Sequence, residues 1–212
     1  GQRGESMRSL DLDPAILAEG RAVAAEEGTR LVDCGFAQPD HPIHIAGPDG
    51  SCLPDGAIGE VVASGPSLAQ GYWRNRDATD AAFVERDGIR SLRTGDLGFL
   101  HGGRIFLVGR EKDLIILRGQ NVYPQDVERV VERNVDILRQ GRIAAFAIER
   151  DGREGIGVAV EVSRNVQKLT APEALAALVS EAVADAFLET ARVVVLLNPG
   201  GLPRTSSGKI QR

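Results

Sequence analysis

The sequence predicts an α+β fold in two parts, and three observations lead to that prediction. The chain has 212 residues, of which 42% are hydrophobic and 26% are charged, so it can bury a core without a metal or a disulfide. Short apolar runs separated by glycine-rich turns fill residues 1–109. Residues 114–212 instead combine strand-length apolar runs with two stretches of helical periodicity.

Residues 1–109 are predicted to be mostly β. Asp13-Pro14 opens a short helix over Ala15–Ala25, and a second short helix is expected over Asp77–Val84. The expected strands are Ile43–Ala46, Gly59–Ser64, Leu97–Leu100 and Arg104–Val108. The last two flank a His101-Gly102-Gly103 turn, which predicts a hairpin.

Residues 114–212 are predicted to form a compact α+β unit, joined to the first part by residues 110–113. One helix begins at Pro124, and a second begins at Thr170-Ala-Pro-Glu173, which fits a capping box. The expected strands are Leu114–Leu117, Arg142–Glu149, Gly155–Val162 and Arg192–Leu197. Asp151-Gly152 is expected to turn between the second and third strands, and Asn198–Arg212 to be a flexible tail.

Composition argues against several classes of partner and location. The net charge of −5 does not favour nucleic acid, and no apolar run approaches the ~20 residues of a membrane span. Gly1–Leu12 is too polar for a signal peptide. Cys34 and Cys52 are expected to be small apolar fillers in a reducing cytoplasm. His41 and His44 have no third ligand nearby, so no metal site is predicted.

Two charged motifs stand near the joint between the parts. Thr94-Gly95-Asp96 is expected on a tight turn, where the carboxylate can accept hydrogen bonds from two ribose hydroxyls or can satisfy its own backbone. Gly109–Asp113 places four charges between two strands. That pattern suits either a linker able to swivel or a plain exposed loop.

A third motif lies in the tail, from Leu202 to Ile210. The chain has 22 arginines and only three lysines, and one of those lysines, Lys209, stands here. An ammonium on a flexible stem can neutralise charge that develops on a phosphate or carboxylate. The alternative interpretation is a frayed, solvated terminus.

Together and in this order, the motifs Arg93–Gly98, Gly109–Asp113 and Pro203–Ile210 closely resemble the adenylate-forming superfamily. That superfamily includes acyl-CoA synthetases, luciferases and peptide-synthetase adenylation domains. Within it, the run Leu117–Glu128 (Leu-Arg-Gly-Gln-Asn-Val-Tyr-Pro-Gln-Asp-Val-Glu) is most similar to the fatty acyl-AMP ligases. The resemblance covers nearly the whole chain.

This resemblance implies an acid–thiol ligase that uses ATP and Mg²⁺ to turn a long-chain fatty acid into acyl-AMP. The acyl group then passes to the phosphopantetheine of an acyl carrier protein or of a polyketide or peptide synthase carrier domain. The implied roles are ribose binding by Asp96 and Arg110, a hinge at Lys112, a phosphopantetheine tunnel at Gly119 and catalysis of adenylation by Lys209.

The resemblance also implies what this sequence lacks. The family's ATP-phosphate loop and acyl pocket belong to an N-terminal region of several hundred residues, so ATP and Mg²⁺ are expected to bind mainly outside this chain. Residues 1–109 then represent the late, β-rich part of a large AMP-binding domain, and residues 114–212 its small mobile lid domain. We expect the chain alone to be inactive. The alternatives are a fatty acyl-CoA ligase, a less favoured amino-acid-activating domain, and a non-catalytic fragment that docks a carrier protein.

Overall fold

The computed structural model describes residues 8–150 and 152–212. The start of the polar segment Gly1–Leu12 and the predicted turn residue Asp151 therefore lie outside the described residues. The chain separates into two compact units, Gly1–Lys112 and Asp113–Arg212. The α+β class is confirmed, whereas the hinge at 110–113 stays a prediction.

The first unit is built on one antiparallel sheet. Its strands are β1 Ser9–Leu12, β2 Thr29–Phe36, β3 Ile43–Ala46, β4 Gly59–Ser64, β5 Phe83–Arg86, β6 Ile89–His101 and β7 Arg104–Arg110. Their spatial order is β1-β2-β7-β6-β4-β3, with β5 paired to β6. Two short helices, α1 Pro14–Ala18 and α2 Arg76–Ala82, connect strands of this sheet. A 3₁₀ turn, Glu111–Asp113, follows β7.

The predicted length of the first helix is wrong. Asp13 caps α1 as expected, because its carboxylate accepts hydrogen bonds from two backbone N–H groups of the first turn. The helix nevertheless ends at Ala18, and Gly20 adopts a left-handed φ of +86°. The chain then returns along the sheet, where Ala24 bridges Leu12, and this pairing outweighs the helical pattern of the residues.

Strand β6 is much longer than the predicted Leu97–Leu100 and contains Thr94-Gly95-Asp96 in its interior. The tight turn predicted for this motif is therefore wrong. The register of β4 against β6 shifts between the pairs Glu60–Leu97 and Val62–Arg93, so β6 bulges there. Gly95 supplies the φ of +70° that the bulge requires.

The second unit contains a two-stranded hairpin and a three-stranded sheet, against which its helices pack. The hairpin is formed by β8 Ile115–Leu117 and β9 Gln120–Val122, and the sheet by β10 Ile143–Arg150, β11 Arg153–Glu161 and β12 Val193–Leu197. Its helices are α3 Pro124–Asn134, α4 Arg164–Leu169 and α5 Pro172–Phe187. β10 pairs antiparallel with β11, which pairs in parallel with β12, so α4 and α5 form the crossover that a parallel pair needs.

One apolar core holds this second unit together. Valines of α3 and α5 pack against valines of strand β11. The following valines have no exposed surface: Val127 and Val131 of α3, Val179 and Val183 of α5, and Val158 and Val160 of β11. The helical periodicity expected in residues 114–212 is confirmed, although Leu178, which the periodicity predicts on the apolar face of α5, is 43% exposed.

Two local predictions in the second unit are wrong. Ala171, not Thr170, precedes α5, and no side chain caps that helix; Pro172 starts it with a preset φ, while Thr170 ends the unpredicted helix α4. The tail is also folded, since Leu202 is buried and Arg204 bridges Ile210.

Two further findings concern the surface. Cys34 and Cys52 are free thiols at exposed positions, so the expectation that they fill apolar space is wrong. Among the described residues, no helix combines the length and the apolar character needed to cross a bilayer.

Candidate functional site

Asp96 and Arg110 face each other across the β6–β7 ladder. The Nε of Arg110 donates to Oδ1 of Asp96 at 2.9 Å, and Nη2 of Arg110 approaches the carbonyl oxygen of Thr94 at 3.4 Å. The Asp96 side chain is 38% exposed and that of Arg110 is 60% exposed. A carboxylate that accepts and a guanidinium that donates are thus displayed together at the surface, which suits a ligand carrying hydroxyl groups.

Glu60 fixes the bulge that carries Asp96. Its Oε1 accepts a hydrogen bond from the backbone N–H of Gly95 at 3.0 Å, and its Oε2 accepts one from Nε of Arg93 at 2.6 Å. The hydroxyl of Thr94 donates to the carbonyl oxygen of Val61 at 2.7 Å. The hydrogen bond to Glu60 also raises the pKa of the Arg93 guanidinium.

Sequence reasoning missed this role of Glu60. Glu60 is the one charged residue of the strand Gly-Glu-Val-Val-Ala-Ser, and it is only 8% exposed. A lone acid in a buried apolar strand requires a partner, because an unpaired buried charge is costly. That signal identifies Glu60 as a supporting residue, but it does not identify Arg93 and Gly95 as its partners.

Lys112 lies at the last position of the first unit, within the 3₁₀ turn Glu111–Asp113. Its side chain is exposed. The two neighbouring charges of the turn, Glu111 and Asp113, belong to different units. The predicted linker therefore has a defined local conformation at the boundary.

Gly119 occupies a tight hairpin between β8 and β9. Leu117 pairs with Gln120, which leaves a two-residue loop, and both loop residues have positive φ: 52° at Arg118 and 81° at Gly119. This is the type I′ turn favoured in two-residue hairpins. A Cβ added at Gly119 would meet no atom within 4 Å, so within this unit it is the positive φ of the turn, and not crowding, that favours glycine.

Arg118 ties this hairpin to the end of α5. Its Nη2 donates to the carbonyl oxygen of Leu188 at 2.7 Å and to Oε2 of Glu189 at 3.0 Å. Leu188 has the left-handed φ of a helix C-terminus. The hairpin that displays Gly119 is therefore held by the C-terminal end of α5 as well as by its own strand pair.

Lys209 lies on a closed loop of residues 203–211, the lysine loop. The backbone N–H of Thr205 donates to the carbonyl oxygen of Lys209 at 2.8 Å, and the Lys209 N–H returns a bond to Oγ1 of Thr205 at 3.0 Å. Nη1 of Arg204 donates to the carbonyl oxygen of Gly208 at 3.0 Å. The Lys209 side chain is exposed, while the adjacent Ile210 packs on a small apolar cluster that includes Leu202.

Glu161 anchors the start of this loop. Its Oε1 accepts from the N–H of Leu202 at 2.9 Å and its Oε2 accepts from Nη1 of Arg142 at 2.7 Å, with only 3% of the side chain exposed. Burial by itself raises the pKa of Glu161. The hydrogen bonds from Leu202, Arg142 and Gly200 together outweigh burial, so the pKa is lowered.

The structure thus brings Asp96 and Arg110 together in the first unit and places Gly119 and Lys209 in the second. Among the described residues there is no group of three histidine, cysteine, aspartate or glutamate side chains able to hold a metal.

The β-rich first unit thus carries an exposed carboxylate–guanidinium pair, and the α+β unit that follows it in the chain carries the loop with Lys209. Residues 119–212 match the model of the AMP-binding enzyme C-terminal domain and belong to that family.

Two relatives that match the whole chain are, by name, a fatty-acid ligase and an acyl-CoA synthetase. The chain is 38% identical to the medium-chain-fatty-acid acyl-carrier-protein ligase JamA of Moorena producens strain JHB, covering 100% of this chain and 38% of that protein. It is 36% identical to a putative acyl-CoA synthetase of Caulobacter vibrioides strain NA1000 / CB15N, with 100% and 36% covered.

A solved structure, from structural and functional studies of fatty acyl-adenylate ligases from E. coli and L. pneumophila, matches with a TM-score of 0.81 at 34% identity. It covers 98% of this chain and 37% of that one. The resemblance to fatty acyl-AMP ligases is confirmed. This chain spans less than two fifths of the length of each of these relatives.

The lowered pKa of Glu161 predicts how its contribution depends on pH. The ionised carboxylate stabilises the fold fully above its ordinary value of 4.5, and this contribution is lost as the pH falls through the lower folded pKa. Wild type should therefore be more stable than E161Q at neutral pH, and the difference should shrink below pH 4.5. Urea unfolding of both proteins across this range measures it. A difference that stays constant with pH would contradict the ionic role.

Proposed function

We propose that this chain is the C-terminal part of an enzyme that activates a fatty acid with ATP and transfers the acyl group to the phosphopantetheine thiol of an acyl carrier protein. The observation that carries the proposal is the exposed Lys209 on a loop braced by a buried carboxylate. It stands in a chain similar over its full length to an acyl-carrier-protein ligase. On this proposal the chain alone is inactive.

Asp96 and Arg110 bind the ribose of the nucleotide. Asp96 offers two acceptor oxygens to vicinal hydroxyls, and the fork of Arg110 donors sets its orientation through the 2.9 Å bond. Glu60 accepts the backbone N–H of Gly95 and so fixes the backbone next to Asp96. The pair is preorganised, so little side-chain entropy is lost when the nucleotide binds.

Lys209 acts in the first half-reaction. An oxygen of the fatty-acid carboxylate attacks the α-phosphorus of ATP, a new P–O bond forms, and pyrophosphate leaves with the electrons of the broken P–O bond. The Lys209 ammonium contacts the carboxylate and the α-phosphate, where it neutralises the negative charge that accumulates. No covalent bond to the enzyme is needed.

Gly119 acts in the second half-reaction. The phosphopantetheine thiol loses its proton to solvent, its sulfur forms a C–S bond to the acyl carbonyl carbon, and AMP leaves with the electron pair of the broken acyl C–O bond. The Arg118-Gly119 turn lacks a side chain at its second position, and no atom lies within 4 Å of the place a Cβ would take. The thin pantetheine arm can therefore pass close to the backbone.

Lys112 is the hinge between these two states. The second unit rotates about the 3₁₀ turn Glu111–Asp113, which withdraws Lys209 after adenylation and presents the Gly119 hairpin for transfer. The boundary between the two compact units, which follows Lys112, supports this position for the hinge.

Two alternatives have specific support. The similarity to a putative acyl-CoA synthetase supports coenzyme A as the acceptor. The second alternative is a non-catalytic protein that only docks a carrier protein, since this chain covers 38% of the ligase that it matches. We favour the carrier protein because the relative named as an acyl-carrier-protein ligase is 38% identical. ATP chemistry and two free thiols, Cys34 and Cys52, also support a cytoplasmic enzyme.

Replacing Lys209 with alanine in the full-length protein should reduce acyl-AMP formation by about 10²–10³-fold, because the transition state loses its neutralising charge. Transfer of a supplied acyl-AMP to the carrier should change little. K168A removes an exposed lysine of α4 and is the matched control. Pyrophosphate release measures the first step. Equal activity of K209A and K168A would refute the proposed role.

Replacing Gly119 with asparagine tests the tunnel. Asparagine tolerates positive φ, so the hairpin should persist while the new side chain obstructs the pantetheine arm, lowering acyl transfer at least about tenfold. Adenylation should be spared. G103N makes the same change at the second position of the His101–Arg104 hairpin turn and controls for backbone effects. The tunnel role is wrong if G119N transfers the acyl group as fast as G103N.

A further inference from the structure

An ion cluster with little exposed side-chain surface lies at the far end of the loop of Lys209, three residues after that lysine. Nη2 of Arg212 donates to both carboxylate oxygens of Glu128, at 2.6 and 2.8 Å, and Nε contacts Oε1 at 3.1 Å. Nη1 of Arg212 also lies 3.7 Å from Oδ2 of Asp113. Only 14% of the Arg212 side chain and 14% of the Glu128 side chain are exposed.

Glu128 connects this cluster to the sheet. Its Oε1 also accepts the backbone N–H of Ala145 in β10 at 2.9 Å, so the carboxylate joins α3, β10 and the tail. Burial raises the pKa of Glu128, against the opposing effect of the bonds from Arg212 and Ala145. A buried carboxylate in this position depends on its cation, because removing one partner leaves the other charge uncompensated.

The loop is therefore held at both ends. Glu161 fixes Leu202 before it, and Glu128 fixes Arg212 after it. Between these anchors, the N–H of Gln211 donates to the carbonyl oxygen of Pro203 at 2.9 Å, which closes the loop at its base. With both ends fixed, the loop backbone has little freedom, and the remaining freedom of Lys209 is that of its own side chain.

We propose that Glu128 and Arg212 are positioning residues for Lys209, a role that rests on the proposed function. The planar guanidinium binds the carboxylate through two N–H groups and so sets the direction in which the loop leaves the domain. Through Asp113, the first residue of the second unit, the same guanidinium links the lysine loop to the hinge end of that unit. Lys209 consequently moves with its unit as one body during rotation.

The test uses the full-length protein with R212Q, R212K and E128Q, and R133Q as the matched control. Arg133 is an exposed arginine of α3. We expect R212Q to lower kcat of adenylation by about tenfold to a hundredfold with KM for ATP little changed, because misplacement of a reacting group acts on the transition state. R212K keeps the charge and should recover part of the loss. E128Q should act in the same direction, because the neutral amide pairs less strongly with the Arg212 guanidinium. The amide can still accept from the N–H of Ala145, so the anchor to β10 is kept.

Transfer of supplied acyl-AMP to the carrier distinguishes positioning from general damage. It should be unchanged in R212Q, because Lys209 does not act in that step. Equal loss of adenylation and transfer in both R212Q and E128Q would overturn the proposal, as would adenylation by R212Q at the rate of R133Q.

Hydrogen exchange keeps this inference separate from the proposed function. The N–H of Gly208 donates to the carbonyl oxygen of Thr205, and the N–H of Lys209 donates to the hydroxyl of Thr205. Both amides should exchange faster in R212Q and not in R133Q. If wild type makes no acyl-AMP, the proposed function fails, while faster exchange in R212Q still supports the proposal that Glu128 and Arg212 fix the loop of Lys209. Unchanged exchange in R212Q would overturn that proposal whatever the activity of the enzyme.

Discussion

The same interaction supports the backbone around Asp96 and the loop of Lys209: a glutamate with little exposed surface accepts hydrogen bonds from one arginine and from one backbone N–H of another segment. Glu60 binds Arg93 and Gly95, Glu161 binds Arg142 and Leu202, and Glu128 binds Arg212 and Ala145. Each glutamate secures a segment next to a proposed functional residue. The first secures the bulge of Asp96, and the other two secure the loop of Lys209. A buried carboxylate without these partners would be strongly unfavourable, so the charges and the backbone positions specify one another.

This arrangement explains how exposed functional groups can be rigid. The side chains of Asp96 and Lys209 both keep surface exposed to solvent. The backbone near each is held by glutamates whose own side chains are only 3–14% exposed. Catalysis gains from such preorganisation, because the energy of holding the geometry is supplied when the chain folds and not when the reaction occurs.

Local patterns predicted much of the fold but little of this support. The β6–β7 hairpin, the start of α3 and strands β3 and β4 follow from turn chemistry and periodicity. The bulge around Gly95 and the folded tail do not, because hydrogen bonds between residues 35, 41 and 84 positions apart decide them. The early end of α1 depends instead on the pairing of Ala24 with Leu12. The candidate residues themselves came from motif order, which carries no information about which glutamates hold them.

Acceptor choice in the full-length protein tests the central claim most directly. The protein is incubated with ATP, Mg²⁺ and a labelled long-chain fatty acid, and then with either coenzyme A or a holo acyl carrier protein. Our account predicts that acyl-AMP accumulates first and that the label then moves to the carrier protein but not to coenzyme A. Rapid formation of acyl-CoA would contradict the proposed acceptor, and the absence of acyl-AMP would contradict the account as a whole.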